Sequence, residues 1–99
     1  MLELIVVALL GLIPAPDGNA IFVAQKCPVC HSIMGQGNKK GPLDDVGARL
    51  SAPQIKQWIL DPEPLAAKEG KTRKPVMKPH PMPDAELVSL VAYLALLGK

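Results

Sequence analysis

Cys27-Pro28-Val29-Cys30-His31 decides how this chain is read. Two thiols stand three positions apart, and an imidazole follows the second one directly. Three chemistries use a cysteine pair at this spacing. A redox dithiol of the thioredoxin kind belongs in a βαβ unit with a strand before the motif, and no strand pattern precedes Cys27. A structural zinc site needs four ligands. The chain holds two cysteines and two histidines in all, and Cys30 and His31 are adjacent, which is awkward for one tetrahedral ion. Covalent haem attachment needs only what is present. The two thiols add across two vinyl groups, and a single helical turn suits that span. His31 then lies under the porphyrin with a ring nitrogen on the iron. The motif assigns one haem c, bound through Cys27 and Cys30, with His31 as a metal ligand.

The bulk composition agrees with a buried macrocycle. The chain has 99 residues, enough for one domain. Its aromatic residues are Phe22, Trp58 and Tyr93 alone, a poor supply of large apolar surface for a small core. The net charge of +2 is too mild for a nucleic-acid binder. The motif consumes both cysteines, so no disulfide framework is available. Residues 1–16 read as a signal peptide or a retained N-terminal anchor. Leu4 to Ile13 is an apolar run of ten residues, the length of a signal h-region and short for a membrane span. Pro14-Ala15-Pro16 follows, with a cleavage point after Ala15. Glu3 is the only charge before the run, so the basic n-region is missing. Export is expected, to the periplasm or an equivalent compartment, with membrane contact only where residues 1–16 are retained.

Residues 17–99 form the domain proper. Asp17 or Asn19 caps a first helix that runs through Ile21, Phe22 and Val23 to the cysteines. Glycines and prolines mark residues 32–47 as loop. Ser51 before Ala52-Pro53-Gln54 is an N-cap with proline in the first turn. That helix carries Ile55, Trp58 and Ile59 and stops near Asp61-Pro62. Six prolines between residues 62 and 83 predict an irregular, stiff loop. Leu87, Leu90, Val91, Leu94 and Leu97 recur at helical spacing from Asp84 to Leu97, with Asp84 and Glu86 suited to the positive end of the dipole. The whole reads as all-α. The terminal helices are expected to cross through Phe22 or Val23 against Leu90, Tyr93 and Leu94.

Three side chains are candidates for the sixth iron position. Met77 and Met82 offer a soft thioether, which stabilises ferrous iron and raises the potential. His80 offers an imidazole. Each has a plainer reading: Met77 as a loop residue on the haem face, Met82 as core filler before the last helix, His80 as a surface histidine. Chemistry alone leaves the two methionines open.

Residues 17–99 resemble a small class I bacterial cytochrome c. Gly18 through Cys27 is similar to the family's opening Gly-x-x-x-Phe helix, although Phe22 lies five residues before Cys27 where four is common. Gly41-Pro42-Leu43-Asp44-Asp45-Val46-Gly47-Ala48-Arg49 resembles the stretch after the haem motif. Met77-Lys78-Pro79-His80-Pro81-Met82-Pro83-Asp84-Ala85-Glu86-Leu87 resembles the family's Met-Pro-Pro-x-x-Leu-Ser-Asp-x-Glu-Leu. Lys78 and Pro83 depart from it, at the residue after the ligand and at the helix cap. The resemblance implies a cytochrome c-like fold, with three to five helices wrapped around one covalently bound haem. It implies Met77 as the second metal ligand, and a Pro42 carbonyl that orients His31 through its other ring nitrogen. It also implies Trp58 packed at the haem.

Single-electron transfer between respiratory or other periplasmic redox partners is the implied function, with no substrate transformed. The alternative is a haem c subunit bound within a larger oxidoreductase or membrane complex. Lys68, Lys71, Arg73, Lys74 and Lys78, with Lys39 and Lys40, suggest a positive collar that steers redox proteins with acidic docking surfaces. Arg49 reads equally as a propionate partner or a surface arginine.

Overall fold

A computed structural model describes residues 17–70 and 75–99. The signal or anchor reading of residues 1–16 therefore lies outside the described residues, as do Lys71, Arg73 and Lys74.

The first helix, α1 (Gly18–Ala24), starts where Asp17 accepts a hydrogen bond from the Asn19 N–H at 3.0 Å. It stops short of the cysteines. Gln25 closes it, and Lys26 adopts a left-handed φ of 61°, so the chain turns before the motif begins. Cys27–Val29 then form a 3-10 turn. Two short strands follow, β1 (Ser32–Ile33) and β2 (Gln36–Gly37), paired antiparallel with Ser32 opposite Gly37. Met34 and Gly35 join them at φ values of 50° and 78°, both in the region that tight hairpins require. The sequence reads this stretch as loop because two-residue strands have no room for an alternating pattern.

Helix α2 (Val46–Arg49) leads into α3 (Ala52–Leu60). Ser51 caps α3 with a reciprocal box: its hydroxyl accepts from the Gln54 N–H at 3.3 Å, and the Gln54 side chain accepts from the Ser51 N–H at 2.8 Å. Helix α4 (Pro62–Lys68) corrects the expectation of irregular chain from residue 62. Pro62 and Pro64 fall in its first turn, where backbone N–H groups have no intrahelical partner to lose. Leu65-Ala66-Ala67-Lys68 then favours helix by propensity. Residues 75–83, without regular secondary structure, lead to α5 (Asp84–Ala95).

Helix α5 organises the core. Its Leu87, Leu90 and Leu94 are buried, and it touches α1, α2 and α3. The same core cluster holds Ile21 and Phe22 from α1, Ile33 from β1, Val46 from α2, and Ile55 and Ile59 from α3. Each such burial contributes about 1.5–3 kcal/mol. Phe22 makes the crossing and Val23 does not: Phe22 is 3% exposed and Val23 58%. The helices meet closely at Gly18, where an added Cβ would collide with the Tyr93 Cβ and lie 2.7 Å from the Ser89 carbonyl oxygen. The Tyr93 hydroxyl donates to Asn19 Oδ1 at 3.3 Å across the same contact. Among the described residues no helix is long and apolar enough to cross a membrane.

Candidate functional site

The motif is wound into one tight turn. The Cys27 carbonyl accepts from both Cys30 N–H (3.1 Å) and His31 N–H (2.9 Å). Pro28 fits the second position of this turn, where the N–H it lacks has no partner within the turn to lose. The winding sets Cys27, Cys30 and His31 on one short unit whose backbone is internally bonded.

Both cysteines are thiols rather than a disulfide, and both are half-buried. Cys27 packs against the core. Burial pushes its thiol up to about 11, the nearby Cys30 adds to the rise, and a backbone hydrogen bond opposes it. A dithiol oxidoreductase needs the reverse, a depressed thiol that is ionised near neutrality. Helix α1 precedes the motif, not a strand. Among the described residues no three His, Cys, Asp or Glu side chains gather around a metal-sized space. The geometry thus gives no support to the dithiol and zinc readings.

His31 is half-buried, with Nδ1 3.0 Å from the Gly41 carbonyl oxygen. A carbonyl only accepts, so Nδ1 carries the proton and Nε2 carries the lone pair. That is the tautomer a metal ligand needs.

The orienting carbonyl belongs to Gly41, which corrects the assignment to Pro42. Ser32 and Pro42 form a parallel bridge. In it Ser32 N–H donates to Gly41 O at 3.0 Å, and Leu43 N–H donates to Ser32 O at 2.8 Å. Successive carbonyls of extended chain point to opposite sides. The bridge therefore aims Gly41 O at residues 31 and 32 and turns Pro42 O away from them. Pro42 itself is exposed. It holds the extended backbone that keeps Gly41 in place, since proline restricts the residue before it.

Two supporting residues escape the sequence reading. Asn38 donates from its backbone N–H to the carbonyls of Pro28 (2.9 Å) and His31 (3.1 Å), and from Nδ2 to the Val29 carbonyl at 3.1 Å. Gly37, at φ 105°, lies so close that a Cβ there would run into the His31 carbonyl oxygen. Their only signal in the sequence is a Gly-x-Gly-Asn run shortly after the motif, which turn statistics explain equally well.

The remaining candidates lie at other points of the chain. Met77 and Trp58 are both half-buried, Met77 in the irregular segment before α5 and Trp58 on α3. That segment is tied to α3 where the His80 N–H donates to the Ile59 carbonyl at 2.8 Å, one residue from Trp58. Met82 packs against the core cluster. Arg49 pairs with Asp45 at 3.0 Å on the surface. Lys39, Lys40, Lys68 and Lys78 are exposed.

The residues present fit covalent haem: two thiols on one turn, a histidine in the ligating tautomer, and a half-buried methionine on a proline-flanked segment. A sequence model of the family described as cytochrome c matches residues 15–97. Neither the curated proteins nor the solved structures gave a match.

Proposed function

The chain belongs to the cytochrome c family, and we propose that it carries single electrons through an iron held between His31 and Met77, among redox proteins outside the cytoplasm. As a small cytochrome c it binds haem c covalently through Cys27 and Cys30 and is an electron-transfer protein. When bound, haem c supplies a one-electron iron couple.

The observation that carries the reading is the His31 Nδ1–H bond to Gly41 at 3.0 Å. It fixes the imidazole with its lone pair on Nε2 and increases the ring's donor strength. Met77 is favoured opposite it by the register of the family resemblance and by the packing of the other methionine. Met82 fills space beside the core. His80 is held by its backbone to α3. Met77 lies between Pro75 and Pro79, which stiffen the segment without a regular element. With thioether and imidazole as axial ligands, a fairly high potential is expected. The apolar run of residues 4–13 supports export, and the exposed lysines support acidic partners.

Optical spectroscopy tests this. Pigment should stay with the polypeptide after denaturing extraction. Met77→Ala should abolish the ferric methionine–iron absorption band and open the iron to carbon monoxide, while Met82→Ala should leave both unchanged. The reverse pattern would move the ligand to Met82.

A further inference from the structure

We propose that Asn38 is a positioning residue for the His31 imidazole, the joint that keeps its backbone and its ring in one fixed frame. This rests on His31 binding iron, as proposed above. Asn38 sits where three hydrogen-bonded paths meet. Its backbone N–H faces the carbonyls of Pro28 (2.9 Å) and His31 (3.1 Å). Its Nδ2 donates to the Val29 carbonyl at 3.1 Å, so its amide holds the middle of the motif as well. On its other side, Asn38 Oδ1 accepts from the Lys40 N–H at 3.0 Å, and its backbone carbonyl accepts from the Gly41 N–H at 3.1 Å. Gly41 then returns to the motif, its carbonyl accepting the His31 Nδ1–H at 3.0 Å.

The result is a closed circuit: His31 carbonyl, Asn38, Gly41, His31 ring. An imidazole has two side-chain torsions, and one carbonyl held rigidly relative to its own backbone selects a single setting of both. The strength of the ring bond depends on distance and angle. Slack in the 38–41 turn therefore weakens it. A weaker Nδ1–H bond makes Nε2 a poorer donor and disfavours ferric iron. The residue type matters, because an asparagine amide offers donor and acceptor on one short stem. Alanine offers neither, and serine lacks the reach to serve both Val29 and Lys40.

The test uses holoprotein and two readouts, the reduction potential and the solvent exchange of the His31 Nδ1–H followed by NMR in the ferrous state. Asn38→Ala and Asn38→Ser should each shift the ferric–ferrous equilibrium about fivefold toward ferrous, the equivalent of one weakened hydrogen bond. Both should speed exchange of the ring proton. Asn19→Ala removes the acceptor of the Tyr93 bond at 3.3 Å elsewhere in the molecule and serves as the control. It should lower stability and leave potential and exchange unchanged. If Asn38→Ala does not mature, Asn38→Ser decides. Unmoved potential and exchange in the Asn38 variants, with pigment still attached, would overturn the inference. So would an equal shift in Asn19→Ala, which would reduce the effect to general loosening. Failure of the underlying haem reading shows earlier and separately, as wild-type chain without covalent pigment.

Discussion

At the scale of the residue, burial governs the Cys27 thiol. Cys27 is raised from 9.0 to about 11, with burial the leading cause. Its thiol stays protonated where an ordinary thiol is already ionised. In chain prepared without haem, alkylation of Cys27 should therefore keep accelerating with pH up to about 11. Levelling near 9.0 would show an unperturbed thiol. Gly37 is the second sensitive position. At φ 105° and hard against the His31 carbonyl, Gly37→Ala should destabilise holoprotein by about 1–3 kcal/mol in denaturant titration. The chemistry of the motif was legible because thiol, thiol and imidazole adjacency has few other uses. Its bracing was not. Gly37 and Asn38 look like any turn residues, and which of two adjacent carbonyls meets an imidazole depends on a backbone bridge that no side-chain pattern encodes.

At the scale of the element, local rules account for most helix boundaries and fail where they compete. Ser51 and Gln54 satisfy each other's backbone at the start of α3, and Ser51→Ala should cost about 1 kcal/mol, measured by the denaturation midpoint of holoprotein. Gly18→Ala should be worse than its gain in helix propensity suggests. Its Cβ would press on Ser89 and Tyr93 and force α1 away from α5, a cost of about 1–3 kcal/mol by the same assay. Helix α4 was missed because a count of prolines hides their positions. The same prolines that forbid a helix interior are tolerated in a first turn. Helix α1 was read as too long because Lys26 takes a left-handed φ of 61° that lysine gives no hint of adopting.

At the scale of the whole molecule, the all-α architecture followed from a helical first and a helical last segment with no alternating strand pattern, together with the resemblance. The tie between the stretch carrying Met77 and the helix carrying Trp58 depends on the His80–Ile59 backbone bond, which sequence does not show. Charge makes a prediction of its own. Lys39, Lys40, Lys68 and Lys78 are exposed on a chain of net charge +2. Second-order reduction by an acidic redox protein should slow as the ionic strength rises from about 0.01 to 0.15 M, where the screening length falls from about 30 to 8 Å. Stopped-flow traces that are flat across that range would remove the electrostatic collar.

The contact between α1 and α5 joins residues 74 positions apart in sequence, as the Tyr93–Asn19 bond records. A nascent chain emerging from the ribosome cannot close that contact until α5 has been synthesised. Throughout elongation the Cys27–His31 turn lacks the helix that completes the core beneath it. The topology thereby delays closure, and the pair of thiols stays open to haem attachment until then.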